Sequence, residues 1–156
     1  NAPQAEPVAA VRREAIDTIT HRRQGRGGRR KARIVIADDH TIVREGLVSL
    51  LQEEPDFLIV GEANNGIQAV ELAAALQPDV VVMDIHMPEM NGMEATRRIK
   101  RIVPSVSIVA LSVNDDGNTM AEMLRAGADS YCVKGEASDT LSEAIRSAVC
   151  NQGGGV

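Results

Sequence analysis

The chain has 156 residues, of which 44% are hydrophobic and 25% are charged, a balance typical of one globular domain with a tail. No apolar stretch approaches the roughly 20 residues of a transmembrane helix, and residues 1–33 lack the apolar core of a secretory leader. Two cysteines and three scattered histidines argue against a disulfide framework and a zinc cluster, so we expect a cytoplasmic protein without membrane association. Aromatic residues make up 1%, which argues against a module that stacks bases or sugars on aromatic side chains.

Charge divides the chain into two unequal parts. Residues 1–33 carry a net charge of +6 and residues 34–156 carry −11, which together give the overall −5. We expect residues 1–32 to form a basic, flexible N-terminal segment or linker, because glycines and like charges keep a chain solvated. Apolar residues recur at helical spacing between residues 8 and 20, which is compatible with a short helix there.

From residue 33 onward, five strand patterns alternate with five helical patterns. The strand patterns are short and rich in β-branched residues, whereas the helical patterns place apolar residues on one face. The predicted strands cover residues 33–37, 57–62, 79–83, 106–111 and 129–133. Five β–α units in about 120 residues predict an α/β domain with a doubly wound, mostly parallel sheet. We place this domain at residues 33–150 and expect a frayed linker at residues 151–156.

Polar residues follow four of the predicted strands. Asp38 and Asp39 end the first strand, and Asp84 ends the third. Ser112 ends the fourth strand and Lys134 ends the fifth. Ligands of open parallel sheets bind beyond the carboxyl ends of the strands, near the point where the strand order reverses. We therefore expect these five side chains to meet at one edge of the sheet.

Three carboxylates at one place repel one another, so a cation has to compensate their charge. Mg²⁺ (or Mn²⁺) suits such a site because it prefers oxygen ligands and retains waters that phosphate oxygens can replace. We expect Asp38, Asp39 and Asp84 to hold the ion together with the backbone carbonyl of His86. Asp84 is also the candidate catalytic nucleophile, which would form an acyl phosphate.

Two further residues would stabilise the phosphoryl group. Lys134 supplies a fixed positive charge, and the Ser112 hydroxyl donates a hydrogen bond to a phosphoryl oxygen. His40, which follows the acidic pair, is interpreted as a helix-start residue rather than a catalyst. The sequence has neither a Walker A motif nor a GxGxxG motif after the first strand, which argues against P-loop and dinucleotide-binding chemistry.

Four stretches carry a recognisable family pattern. They are IVIADDH at 34–40, VVMDIHMPEMNG at 81–92, LSV at 111–113 and GADSYCVK at 127–134. In this order and spacing they closely resemble the receiver domain (CheY-like) of two-component response regulators. Four shorter segments are closest to the NarL/FixJ branch, namely ADDH at 37–40, VREGL at 43–47, VGEA at 60–63 and LSV at 111–113. That branch usually carries a C-terminal helix-turn-helix of the LuxR type.

The resemblance implies a single flavodoxin-like (βα)5 fold with strand order 2-1-3-4-5. It implies that Asp84 accepts phosphate from a sensor histidine kinase, and that Ser112 and Tyr131 form a switch pair. This pair would repack the face made by the fourth and fifth strands and the helices that follow them. The resemblance further implies a homodimer formed on phosphorylation, and DNA binding only through a domain absent from this chain. Gly135 departs from the pattern, since many receivers have Pro there.

Other functions stay open alongside this one. A phosphatase of the haloacid-dehalogenase type would also use an Asp nucleophile, but its DxD spacing after the first strand is missing around Asp38. A stand-alone receiver that acts by protein–protein interaction, with or without phosphorylation, is a further alternative. We expect a phosphoacceptor switch with slow autodephosphorylation rather than an enzyme that turns over a substrate.

Overall fold

A computed structural model of the chain describes residues 30–113, 117–136 and 138–153. The helix predicted between residues 8 and 20 therefore lies outside the described residues, as do residues 154–156. The elements in chain order are β1 (Ala32–Ala37), α1 (Thr41–Gln52), β2 (Phe57–Ala63), α2 (Gly66–Leu76), β3 (Val80–Asp84), α3 (Gly92–Ile102), β4 (Ser107–Ser112), α4 (Gly117–Ala126), β5 (Ser130–Val133) and α5 (Ser138–Gly153). None of the described helices combines the length and the apolar character needed to cross a bilayer.

All five strands belong to one parallel sheet, in the order β2-β1-β3-β4-β5. This order confirms the one that the resemblance implies. The strand order reverses beside β1, which pairs with β2 on one side and with β3 on the other. Every residue of β1, β3 and β4 is buried, because helices cover both faces of the sheet. The reversal therefore leaves an opening at the carboxyl ends of β1 and β3.

Two hydrophobic cores lie on opposite faces of the sheet. Leu72, Ile99 and Met123 bring α2, α3 and α4 against one face. Leu51 and Ile145 bring α1 and α5 against the other. Since each of these side chains is at most 1% exposed, the helices pack closely on both faces, and the polar residues at the strand ends are the candidates for an acidic site.

The amino end of the domain begins slightly earlier than the predicted boundary. β1 starts at Ala32, and Arg30 already forms an ion pair with Asp79 at 2.5 Å. The buried Arg33 donates two hydrogen bonds at the end of α2, to the carbonyls of Leu76 and of the C-cap residue Gln77, at 2.8 and 3.0 Å. These contacts draw the end of the basic segment into the folded domain.

The carboxyl end of the domain extends beyond the expected limit at residue 150. Helix α5 continues to Gly153, so residues 151–153 form its last turn rather than a frayed linker. The Gln152 amide explains this, because its nitrogen lies 2.7 Å from each of three acceptors that its two N–H bonds share, the carbonyls of Asp79 and Ser105 and the hydroxyl of Ser107. The helix end is thereby fixed against the amino ends of β3 and β4.

Candidate functional site

The carboxyl ends of β1 and β3 bring the three predicted aspartates together. Ala37 is level with Met83 in the parallel ladder, so Asp38 and Asp84 leave the sheet side by side. One ligand atom from each of Asp38, Asp39 and Asp84 lies within 4.8 Å of the others. Asp38 and Asp84 are buried, whereas Asp39 is partly exposed. The site is therefore an acidic cleft with its charge concentrated at the deeper end.

Lys134 reaches this cleft from the end of β5. Its Nζ lies 2.7 Å from Oδ2 of Asp38 and 3.2 Å from Oδ1 of Asp84. Its backbone N–H donates to the carbonyl of Ser112 at 2.7 Å, which ties the lysine loop to the end of β4. Because the lysine side chain is 14% exposed, its charge is only partly screened by water. One ammonium thus compensates two buried carboxylates.

Burial is the main reason why the pKa of Asp84 is raised above its usual value. The charges of Asp38 and Asp39 raise the pKa further, and Lys134 partly offsets this effect. Burial by itself lowers the pKa of Lys134, but its contacts with Asp38 and Asp84 outweigh burial and raise it. The ionised form of Asp84 is therefore destabilised, so this carboxylate gains most from a nearby cation.

The residues present fit a small divalent cation. Oδ2 of Asp38, Oδ1 of Asp39 and Oδ2 of Asp84 are buried and accept no hydrogen bond from the described residues. Oδ2 of Asp38 does lie at ion-pair distance from Lys134, but without hydrogen-bond geometry. Buried carboxylate oxygens that accept no hydrogen bond are costly, and oxygen is the ligand that Mg²⁺ prefers. His86 lies two residues after Asp84 with its ring exposed, and a role for its carbonyl stays a prediction.

The two predicted switch residues lie on adjacent strands beside the cleft. Ser112 is the buried last residue of β4 and pairs with Val133. Tyr131 is half-buried in β5, where it is level with Ala110 and packs against the core on the α2–α4 face. Ser112 therefore lies near the site, whereas Tyr131 lies two residues further from the strand ends.

The loop after β3 is held in place by close backbone packing. The N–H of Gly92 donates to the carbonyl of Ile85 at 2.7 Å, and Asn91 caps α3 by accepting from the N–H of Glu94. A Cβ atom on Gly92 would lie 2.1 Å from the carbonyl oxygen of Asp84. A side chain at this position would thus push α3 away from the end of β3.

His40 was missed as a member of the site. It is the N-cap residue of α1, as interpreted from the sequence, but its ring makes no cap hydrogen bond within the described part of the chain. Its Nδ1 instead lies 3.2 Å from Oδ1 of Asp38 and 3.2 Å from Oδ1 of Asp39. The available signal was its position directly after the acidic pair, since α1 begins there and turns the ring back over the cleft.

The sequence model of the response regulator receiver domain family matches residues 34–146 of the chain. The chain belongs to this family. It is 43% identical over 124 residues to the transcriptional regulatory protein DegU of Brevibacillus brevis, an alignment that covers 80% of this chain and 52% of the relative. The nitrate/nitrite response regulator NarL of Escherichia coli (strain K12) is 36% identical over 121 residues, covering 78% and 56%. The chain thus spans about half the length of the curated relatives it matches.

Solved structures agree with this assignment. The receiver domain of the putative response regulator NarL from Mycobacterium tuberculosis superposes with a TM-score of 0.75 at 29% identity, covering 78% of this chain and 98% of that one. A LuxR-family response regulator from Aurantimonas sp. SI85-9A1 superposes with a TM-score of 0.75 at 33% identity, covering 78% and 86%. The flavodoxin-like fold and the receiver assignment are both confirmed: the chain is a receiver domain of two-component response regulators.

Proposed function

We propose that this receiver is a phosphorylation-controlled switch in which Asp84 accepts a phosphoryl group from the phosphohistidine of a sensor histidine kinase in the cytoplasm. One observation carries the proposal: Asp84 is buried, keeps one oxygen without a hydrogen bond from the described residues, and lies 3.2 Å from the Lys134 ammonium. A nucleophilic oxygen and a fixed positive charge are the protein groups that phosphoryl transfer requires.

In the transfer step, an Asp84 oxygen forms a bond to phosphorus while the bond from phosphorus to the donor's imidazole nitrogen breaks. The electron pair of the broken bond returns to the imidazole, and the phosphoryl group becomes an acyl phosphate on the protein. When bound, Mg²⁺ or Mn²⁺ supplies positive charge to the phosphoryl oxygens. Asp38, Asp39, Asp84 and the carbonyl of His86 would hold that ion.

Lys134 and Ser112 would stabilise the acyl phosphate. The ammonium of Lys134 already faces Asp84, and the Ser112 hydroxyl lies at the end of the neighbouring strand. The phosphoryl group adds a charge of about −1.5 to −2 at Asp84. This charge favours the packing of Ser112 and Tyr131 that brings hydrogen-bond donors closer to the phosphoryl oxygens. Inverting a 1:99 population takes about 5.5 kcal/mol, and each hydrogen bond to a charged group supplies about 1.5 to 3. Two to four new contacts are therefore sufficient to switch the face formed by β4, α4, β5 and α5.

The proposal for the output is supported by the relatives, whose names describe transcriptional regulators. We propose that this receiver regulates transcription through a DNA-binding domain outside this chain, and that phosphorylation favours a homodimer. Residues 34–156 carry a net charge of −11, so the receiver by itself repels DNA. A stand-alone receiver that acts through protein–protein contacts is the alternative for the output step.

The test is incubation of the chain with acetyl phosphate and Mg²⁺, followed by measurement of its intact mass. We expect a labile adduct of about 80 Da, the mass of one HPO₃ unit, on the unmodified chain. Asp84→Asn should lose the adduct because its side chain lacks the nucleophilic oxygen, and chelation of the metal should abolish it. Asp139→Asn is the matched control, since Asp139 is exposed on α5. An adduct that persists in Asp84→Asn contradicts the proposal.

A further inference from the structure

The imidazole ring of His40 contacts the acidic site without having a part in the proposed phosphoryl transfer. Nδ1 lies 3.2 Å from one oxygen of Asp38 and 3.2 Å from one oxygen of Asp39. Neighbouring ligand atoms on one ion with bonds of about 2.1 Å lie about 3.0 Å apart in an octahedral shell and about 3.4 Å in a tetrahedral one. The ring nitrogen therefore lies from each of these two oxygens at the spacing of neighbouring ligand atoms on one ion.

A separate observation indicates that this group of atoms has a ligand. Asp84 belongs to the same cluster, with ligand atoms of Asp38, Asp39, His40 and Asp84 all within 4.8 Å of one another. The Asp84 side chain is 5% exposed, and its Oδ2 accepts no hydrogen bond from the described residues. A buried carboxylate oxygen in this condition is stabilised by a cation, which the same cluster has the atoms to bind.

We propose that His40 is an imidazole ligand that gives this acidic site a preference for first-row transition-metal ions, such as Co²⁺ and Ni²⁺, over Mg²⁺. The inference rests on the metal site of the proposed function and adds a nitrogen donor to it. Imidazole nitrogen binds these ions well, whereas Mg²⁺ favours oxygen ligands and water. The loss of His40 should therefore weaken transition-metal binding and leave Mg²⁺ binding nearly unchanged.

The position of His40 suits this role. Nδ1 lies at hydrogen-bond distance from Oδ1 of Asp38, so a metal ion would take the place of a proton at this nitrogen, and the side chain is 65% exposed, so water can hydrate Nε2. The backbone N–H of His40 donates to Oδ1 of Asp38 at 2.9 Å, which fixes the residue over the cleft. His86 offers a comparison, because its ring is exposed beside the same site but belongs to no ligand cluster among the described residues.

The test is calorimetric titration of the untagged chain with Co²⁺ and, separately, with Mg²⁺. In His40→Gln, the Kd for Co²⁺ should rise at least about tenfold, while the Kd for Mg²⁺ stays within about twofold. Glu45→Gln, an exposed position on the same helix α1, should leave both values within about twofold. Electron spin-echo spectra of bound Mn²⁺ should show coupling to a ring nitrogen in the unmodified chain and none in His40→Gln.

The outcomes separate this inference from the proposed function. Unchanged Co²⁺ affinity and an unchanged spin-echo spectrum in folded His40→Gln would overturn the role of His40 and leave the Mg²⁺ site standing. Equal loss of Mg²⁺ and Co²⁺ in His40→Gln would show a general effect on the cleft and would also overturn the proposed selectivity. Absence of binding by either ion to the unmodified chain would contradict the metal site itself.

Discussion

Lys134 holds the central position among the charged residues of the site. Its ammonium pairs with Asp38 and Asp84, so in the structure it occupies part of the space in which a cation would share their charge. The same charge repels a metal ion and attracts a phosphoryl group. Lys134 should therefore act in opposite directions on the two ligands.

We expect Lys134→Gln to bind Mg²⁺ more tightly and to accept phosphate more slowly. Two unit charges about 4 Å apart interact by about 1 kcal/mol even at the dielectric constant of water, so the gain in Mg²⁺ affinity should be at least about fivefold. Titration with Mg²⁺ and the initial rate of adduct formation from acetyl phosphate measure the two effects. Weaker Mg²⁺ binding in a folded variant would contradict this account of the lysine.

The two cysteines should differ in reactivity. Cys132 is buried in β5 and Cys150 is exposed on α5. Burial, with a smaller effect from the charge of Glu136, raises the pKa of the Cys132 thiol above its ordinary value of 9.0. Its thiolate fraction is therefore lower than that of an ordinary thiol at every pH below the raised value. The unfolded chain ionises first, so this thiol lowers the stability of the fold as the pH rises past 9.0.

A thiol reagent should accordingly modify one cysteine rapidly and the other slowly. Cys150→Ser should lose the rapid phase and Cys132→Ser should keep it, and the slow phase should persist as the pH rises because burial disfavours the Cys132 thiolate. Stopped-flow absorbance of a chromogenic disulfide measures both phases. Equal rates for the two thiols in the folded chain would show that β5 opens readily.

Among the elements, α3 positions the nucleophile through its first residue. Gly92 begins the helix, and its missing Cβ permits the carbonyl of Asp84 to approach the helix backbone. Gly46, in the middle of α1, has a different environment, because no described atom lies within 4 Å of a Cβ built there. The two glycines thus form a matched pair in which one is required by close packing and the other is not.

We expect Gly92→Ala to reduce the free energy of unfolding by about 1–3 kcal/mol, because the added methyl group displaces α3 from β3. Phosphorylation of Asp84 should slow in the same variant, since the end of β3 shifts. Gly46→Ala should instead raise the free energy of unfolding by about 0.5–1 kcal/mol, because alanine favours the helix. Urea denaturation measures both changes, and stabilisation by Gly92→Ala would contradict the structure around Asp84.

At the scale of the whole molecule, the amino ends and the carboxyl ends of the strands, called here the amino edge and the carboxyl edge of the sheet, differ in how their aspartates are hydrogen-bonded. At the amino edge, Arg30, Arg33 and Gln152 all donate to Asp79, through its carboxylate or its carbonyl. At the carboxyl edge, oxygens of Asp38 and Asp84 are buried without hydrogen bonds from the described residues. The chain itself thus satisfies Asp79 at the amino edge, whereas the aspartate oxygens at the carboxyl edge stay available to a ligand.

The sequence predicts the carboxyl edge well and the amino edge poorly. Short β-branched runs followed by polar residues define the strand ends, so Asp38, Asp84 and Lys134 could be placed from local pattern and sheet topology. The contact between Gln152 and Asp79 joins residues 73 positions apart, and nothing in the local sequence indicates it. Helix α5 therefore extends beyond its predicted end, because a long-range contact determines where the helix ends.

The position of the His40 ring likewise depends on the three-dimensional fold rather than on the local sequence. Its helix-start character follows from its place before α1, but the direction of its ring is set by how that helix leaves the sheet. Neighbours along the chain do not fix this direction, so its approach to Asp38 and Asp39 emerges only in three dimensions.

The central claim is that Asp84 carries the phosphoryl group, and locating the modification tests it most directly. The phosphorylated chain is reduced with borohydride, which converts an acyl phosphate of aspartate to homoserine, and its peptides are then sequenced by mass spectrometry. We predict that the residue at position 84 becomes about 14 Da lighter than Asp, because one oxygen is exchanged for two hydrogens. Conversion of Asp38, Asp39 or another residue, with Asp84 unchanged, would contradict the account.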